Sequence, residues 1–379
     1  MEQLLYASEI VVNGLMTGVM YALVALGFVL IYKASGVFNY AQGVMALFAA
    51  MTLVGIQQGQ VPFAHLINAL TGTHVSHFGW NVPAVLAIAL TALVAMPLIA
   101  ANPGELSGAA APIGWAMLGG AFVFGAAMQV VLGCGSGTLV NAGSGNPVAV
   151  VALPFCALGS FLGSFSLVWW TNLGSLPVVV LGGASGLGIT LALLAVVAAV
   201  VLAVAAPGHR RIPARWVAAA GLLAVLALAN LIVSGQPWGV VYCLGLWGAK
   251  AAASLGVDLS ASAFWSTPGN AARVTQSVLT DITSLTAFGT ILGAMLVAFW
   301  RGGLAQRLPD LPARAWVATV ISGLLLGYSS RLAFGCNVGA LFSGISTGSL
   351  HGWAWLVMGF AGSAVGVKLR PILGMEGRQ

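Results

Sequence analysis

Apolar residues run along this chain in blocks about as long as a bilayer is thick, separated by short polar or glycine- and proline-rich joints. Ten such blocks stand out, at 10–32, 39–56, 82–101, 112–132, 147–169, 184–206, 216–234, 284–300, 315–332 and 351–368. The pattern predicts an all-α polytopic membrane protein with about nine or ten transmembrane helices. Segments 57–81 and 235–283 are more polar and are punctuated by Gly and Pro, so they read as loops, interfacial helices or re-entrant pieces.

Composition points the same way. Of the residues, 60% are hydrophobic and 5% charged, and the mean hydropathy is +1.02, outside the range of soluble domains. The net charge of +6 says little about nucleic acid, and no nucleic-acid partner is expected, because the few Lys and Arg lie mainly in loops, where they report orientation. His209-Arg210-Arg211 with Arg215, then Arg301, Arg307 and Arg314, then Lys368, Arg370 and Arg378 fall on one side by the span count. That side is expected to be cytoplasmic and to hold the C-terminus, with 374–379 as a tail. Lys33 falls on the outer side. The N-terminus opens with Glu2 and Glu9 rather than a basic region, so the first apolar run is read as a retained span.

Chemistry-bearing residues are scarce. The four cysteines contain no CxxC pair and the five histidines offer no metal-ligand spacing, so neither a disulfide framework, a zinc module nor any cofactor is expected. "GGASGLGIT" (182–190) lacks the Lys-Ser/Thr ending of a phosphate loop. With no catalytic triad or paired-carboxylate site, the chain reads as a non-enzyme.

What remains is a repeat. "LGCGSGTLVNAG" (132–143) and "FGCNVGALFSG" (334–344) each place a Gly-Cys-x-x-Gly break between apolar runs, and 202 residues separate Cys134 from Cys336. At that offset Gly125 meets Gly327, Gly133 meets Gly335, Gly137 meets Gly339 and Leu139 meets Leu341. The span count carries the chain inward at Cys134 and outward at Cys336, which predicts inverted repeats, about 112–169 and 315–369, with re-entrant half-helices at the breaks. Non-helical backbone at membrane depth is tolerated where it is buried or lines a cavity, a recurring plan in transporters. Glycine permits the turn, and a half-helix starting there directs its positive end at the cavity, which suits an anion.

The candidate site residues are therefore Cys134, Cys336, Gly133, Gly135, Gly137, Gly335, Asn337, Gly339 and Arg331. Thiols are weak donors suited to a polarizable sulfur ligand, and an arginine as deep as Arg331 is expensive unless it faces a cavity or snorkels. Ser136, Thr138 and Asn141 supply neutral hydrogen bonds to ligand or to their own helices. Cys156 and Cys243 lack the flanking break and read as apolar filler. His351 reads as an interfacial cap and Asp281 as a helix start.

At these residues the sequence resembles the YeeE/YedE family of bacterial inner-membrane sulfur-compound transporters, typified by thiosulfate uptake. The likeness covers roughly 110–373 and rests on "GCGSGTLVNAGSGN" (133–146), "QPWGVVYCLGLWGAK" (236–250), "DITSLTAFGTILGA" (281–294) and, most specifically, "SRLAFGCNVGALFSGISTGSLHGWAWLVMGFAGSAVGVKLRP" (330–371). The resemblance implies an hourglass-like helical protein through which thiosulfate passes by transient hydrogen bonds to cysteine thiols, two of them at Cys134 and Cys336. The family's further cysteine near the N-terminus has no counterpart, since no cysteine precedes Cys134. Residues 10 to about 65 instead resemble the start of a branched-chain amino-acid ABC permease, through Asn13, Gly14, Gly18, Tyr21, Ala22, Leu23, Gly27 and Asn39.

The organisation expected is thus an N-terminal membrane segment (1–75), a YeeE/YedE-like transporter region (76–373) and the tail. The expected function is inner-membrane transport of thiosulfate or a related small sulfur-containing anion, with the lipid bilayer as solvent and a cytoplasmic sulfur-carrier protein as candidate partner. The alternatives are the permease subunit of a branched-chain amino-acid ABC transporter and a non-transporting membrane scaffold.

Overall fold

A computed structural model describes residues 82–204, 212, 214–300 and 308–375. The blocks at 10–32 and 39–56, Lys33, residues 209–211, Arg301, Arg307, Arg378 and the stretch resembling an ABC permease lie outside the described residues. Within them the chain is helical, with isolated β-bridges in place of sheet. The helices are α1 (Val82–Ala101), α2 (Trp115–Val130), α3 (Gly135–Gly143), α4 (Pro147–Thr171), α5 (Gly183–Val204), α6 (Ala214–Ser234), α7 (Val241–Ser254), α8 (Pro268–Thr275), α9 (Ile282–Trp300), α10 (Ala313–Leu332), a π-helical turn (Asn337–Phe342) that runs into α11 (Ser343–Ser346), and α12 (Leu350–Leu373).

Eight segments among the described residues are long and apolar enough to cross a membrane. They are the eight predicted blocks from 82 onward, with the two that contain breaks extended through them, to Trp115–Gly143 and Ala313–Ser346. The polar segment 235–283 forms the buried short helix α7 and the peripheral α8, which is tied down by the Lys250 ammonium donating to the carbonyls of Val274 and Gln276.

The repeat is built by exchange. Helix α2 packs on α12 and α4 packs on α10, so each copy's first long helix lies against the other copy's second. The contacts match residue by residue. Gly125 presses on the Gly359 carbonyl oxygen and its counterpart Gly327 on that of Cys156; Gly362 and Gly159 press on Phe122 and Leu324; Gly366 and Gly163 press on Ala126 and Tyr328. At each of these glycines an added Cβ would fall under 3.0 Å from backbone, a distance real side chains do not tolerate. Such reciprocity is the signature of a two-fold axis. Because Gly120, near the start of α2, meets Ser329, Leu332 and Ala333 at the end of α10, the related helices run antiparallel, as an inverted repeat requires.

The structure extends the repeat beyond the expected limits. Helix α9 packs on α3 while α1 packs on the π-turn's continuation, α11, which is the same exchange one span earlier. Each copy therefore contains three long helices and a half-helix, and α5 and α6 cover α1 from outside.

Small residues at these crossings let helix backbones touch where lipid offers no hydrophobic drive for association. Gly327→Val and Gly362→Val are expected to cost more than the about 1–3 kcal/mol typical of overpacking. Their loss of a monodisperse, cooperatively melting species in detergent is the readout. Gly119→Ala and Gly221→Ala, whose added Cβ meets nothing within 4 Å, should melt like the parent; equal behaviour of Gly327→Val would refute the packing argument.

Candidate functional site

The two breaks are copied bond for bond. Helix α2 ends with the Gly133 N–H donating to the Met128 carbonyl at 3.1 Å, and α10 ends with Gly335 donating to Ser330 at 2.9 Å. The next helices then start with Thr138 N–H to Cys134 O and Ala340 N–H to Cys336 O, both at 2.8 Å. The sequence places the sharp turn on glycine. The structure instead puts the left-handed residue one position earlier, at Leu132 (φ 57°) and Phe334 (φ 55°). Left-handed backbone costs a non-glycine residue roughly 1–2 kcal/mol, and here the helix-ending hydrogen bond and the packing of Phe334 against the core offset it.

Glycine acts at the neighbouring positions. Gly335 has φ 149°, and a side chain there would collide with the backbone nitrogen of Ala340. At Gly133 a Cβ would crowd Thr138, and at Gly135 it would stand 3.6 Å from the Cβ of Cys336. Small residues thus let the two breaks meet. Where α3 is α-helical throughout, the second half-helix opens as a π-turn over 337–342, a departure from the expected matching half-helices. A π-turn widens the helix and is common at functional sites.

Cys134 and Cys336 occupy the N-cap positions of these half-helices, and both side chains are fully buried. The two thiols lie close enough across the two-fold to interact with each other, with the Cys336 side chain standing beside Gly135. Around Cys134, the Gly137 N–H donates to sulfur at 3.5 Å and the Ser136 hydroxyl lies 3.3 Å away. Around Cys336, the N–H groups of Val338 and Gly339 approach sulfur from its own turn and that of Ser136 approaches from the other copy. Two positive helix starts therefore converge on one point, a setting that favours a negative ligand.

Asn337, next to Cys336, is fully buried, and neither its amide nitrogen nor its oxygen has a hydrogen-bond partner among the described residues. Leaving such groups unsatisfied costs about 1–3 kcal/mol each. That is a cost a polar ligand at the break can offset. Thr138 bonds back to the Cys134 carbonyl at 2.8 Å and Asn141 to that of Leu132 at 3.2 Å, so these two brace the break rather than face a ligand.

Cys156 on α4 and Cys243 on α7, read from sequence as filler, are both fully buried and lie close enough to Cys336 to interact with it electrostatically. The Cys243 thiol donates to the Val240 carbonyl at 2.9 Å. Asp281 does start a helix, its carboxylate accepting from the Ser284 N–H at 2.8 Å and the Thr283 hydroxyl at 2.7 Å. His351 is not an interfacial cap. It is buried, holds the Ser349 hydroxyl at 2.7 Å through Nδ1, and stands against Gly344 of the second half-helix.

A cavity of about 410 Å³ reaches the second break from one side, touching Phe334, Gly335 and Gly339. Arg331 lines it, together with Asn230, Gln236, Tyr242, Phe264 and His351. The sequence singled out Arg331 and His351 alone. The others come from segments 67 to 101 residues before Arg331, and of these Gln236 and Tyr242 fall inside a stretch that carried the family resemblance.

A family model described as sulphur transport matches residues 73–365. The chain belongs to the sulphur transport family. Members similar to it include the probable transporter YedE of Escherichia coli K12, 30% identical over 156 residues, which is 41% of this chain and 37% of that one. The Salmonella typhimurium YedE is 29% identical over the same shares. The thiosulfate transporter TsuA of Spirochaeta thermophila is 27% identical over 259 residues, 62% of this chain and 71% of that one. The aligned region thus spans 37% of the length of the two YedE relatives. The family is one of transport proteins rather than enzymes, and its match begins after the stretch that resembles an ABC permease.

The thiol contact across the two-fold is directly testable. In a background carrying Cys156→Ala and Cys243→Ala, brief diamide treatment should yield one intramolecular disulfide, Cys134–Cys336, by peptide mass spectrometry. Two free thiols under conditions that oxidise a control pair would contradict the juxtaposition.

Proposed function

We propose that this protein carries thiosulfate, or a related small sulfur-containing anion, across the bacterial inner membrane by way of the facing breaks. The observation that carries this reading is the meeting of two half-helix starts, each with a buried cysteine at its N-cap position, beside the amide of Asn337, which is unpartnered among the described residues. Converging N–H dipoles stabilise negative charge without a fixed cation that would trap it. Cysteine sulfur is polarizable and its S–H is a weak donor, so each contact with a terminal sulfur atom is easily made and easily broken. Serial weak sites are what conduction needs: strong enough to admit an anion that has shed water, loose enough to release it.

In this reading Cys336 meets the anion from the outer side and Cys134 passes it inward, with Gly133, Gly135, Gly137, Gly335 and Gly339 shaping the narrow point. The positive-inside rule puts the ends bearing Arg314 and Arg370 in the cytoplasm, and the closeness of Arg314 to Gly374 is consistent with their sharing one end of the bundle. A sulfur-carrier protein on the cytoplasmic side is the natural acceptor of the delivered anion.

Uptake of sulfur-labelled thiosulfate in cells lacking other sulfur importers tests the reading. Cys134→Ala and Cys336→Ala are each expected to abolish uptake at matched membrane abundance. Asn337→Ala should lower it about tenfold, the effect of losing one hydrogen bond to a charged ligand. Full uptake by both cysteine variants would end the proposed path, and no uptake by the unaltered chain would end the proposed substrate.

A further inference from the structure

The cavity beside the second break holds a cation whose surroundings need explaining. Arg331 sits within the span Ala313–Ser346, where a charge that cannot be given up is costly without compensation. Its guanidinium lies over the ring of Phe264 at 4.5 Å and that of Tyr242 at 5.6 Å, and its Nε donates to the Ser164 hydroxyl at 3.0 Å. Aromatic faces and a hydroxyl hold the group in place but do not neutralise it. Among the described residues no carboxylate pairs with Arg331, and its terminal N–H groups make no hydrogen bond. Arg331 borders a cavity of about 410 Å³ whose wall also carries Asn230, Gln236, Thr283 and His351.

A second guanidinium continues the line outward. Arg273 of α8 lies over the Tyr242 ring at 5.0 Å and lines a smaller adjoining hollow that shares Gln236 with the main cavity. The acidic group of this region, Asp281, is engaged with Thr283 and Ser284. Two cations thus flank one tyrosine on the way to Gly335 and Cys336.

We infer that this cavity is an oxyanion-capture site, separate from the thiol pair, in which Arg331 binds the oxygens of the anion and leaves its sulfur end for Cys336. The inference rests on the transport reading above and adds a division of labour to it. Guanidinium recognises sulfur oxyanions through paired N–H to oxygen bonds and is indifferent to a terminal sulfur atom. Sorting by sulfur then falls to the thiols alone. Sulfate should therefore enter the cavity and compete with thiosulfate without being carried.

The experiment uses proteoliposomes of the full chain, with labelled thiosulfate uptake and, in parallel, binding of thiosulfate and of sulfate followed by the fluorescence of Trp238, which lines the cavity. In the unaltered protein sulfate should inhibit competitively while labelled sulfate does not accumulate. Arg331→Gln should raise the KM for thiosulfate and weaken sulfate binding about tenfold or more, as expected for a lost charge-assisted pair, while maximal uptake changes less than twofold. Phe264→Leu keeps the charge and loosens its seat, so it should shift both affinities in the same direction by a smaller factor and guards against misfolding of the first variant. Unchanged binding of both anions in Arg331→Gln overturns the inference, as does transport of sulfate by the unaltered chain. Because binding is read separately from uptake, loss of uptake with intact, Arg331-dependent sulfate binding would refute the transport reading and leave the capture site standing.

Discussion

Everything at the centre of this molecule depends on helix backbones touching across the two-fold. Lipid is as apolar as leucine, so the helices gain nothing by hiding side chains from it, and association rests on close packing and weak polar contacts. Glycine at 125, 159, 163, 327, 362 and 366 removes the side chains that would hold the helices apart. The Ser363 hydroxyl adds a bridge to the Gly125 carbonyl at 3.3 Å while bonding its own helix at 2.7 Å. These crossings fix the relative heights of α2, α4, α10 and α12. Only with those heights fixed do two separately folded breaks bring Cys134 and Cys336 together.

The breaks themselves are a compromise between satisfying backbone and leaving it available. A helix start is ordinarily capped by Ser, Thr, Asp or Asn, whose oxygen takes up an orphan N–H firmly. At both positions here the N-cap residue is a cysteine; the Cys134 sulfur accepts from the Gly137 N–H at 3.5 Å, while the Cys336 side chain makes no capping hydrogen bond. A carboxylate cap would repel an anion, and a hydroxyl would hold the N–H more tightly than sulfur does. Sulfur is a weak acceptor, and on the proposed transport reading a helix start held so loosely leaves its N–H groups open to an arriving ligand. The unpartnered amide of Asn337 extends the same logic to a side chain.

How much of this was legible in the sequence follows from which features are local. The apolar blocks and the Gly-Cys-x-x-Gly pair are local signals, and from them came the spans from 82 onward, the breaks and the two cysteines. The turn at Leu132 and Phe334 was missed because a bulky apolar residue in left-handed backbone runs against propensity, and only the hydrogen bonds of the folded helix end favour it. The inclusion of α1 and α9 in the repeat was missed because neither helix carries the Gly-Cys-x-x-Gly break that marks the repeat; only their exchanged packing on α11 and α3 does. The wall of the cavity was invisible for a plainer reason. Asn230, Phe264 and Arg331 lie on three distant segments, and no spacing rule in one sequence brings them together.

The two-fold relates the backbones but not the charges, and on the proposed transport reading this bears on how an anion would enter and leave. The counterpart of Arg331 in the first copy is Gln129, a neutral residue whose carbonyl accepts from the Arg370 guanidinium at 2.8 Å. One mouth thus has an arginine facing an open cavity, while at the other the nearby arginine closes a helix end. Such asymmetry cannot set the direction of net flux, because any fixed charge raises entry and hinders exit from the same side by the same free energy. What it sets is the concentration at which each mouth fills. On the proposed transport reading, a mouth whose guanidinium faces the cavity fills from a dilute solution, and a mouth whose arginine is tied to a helix carbonyl holds the anion less tightly. On that reading, two inverted copies of one fold, differing in whether an arginine faces a cavity or is tied to a helix carbonyl, would give a symmetrical passage a dilute side and a consuming side.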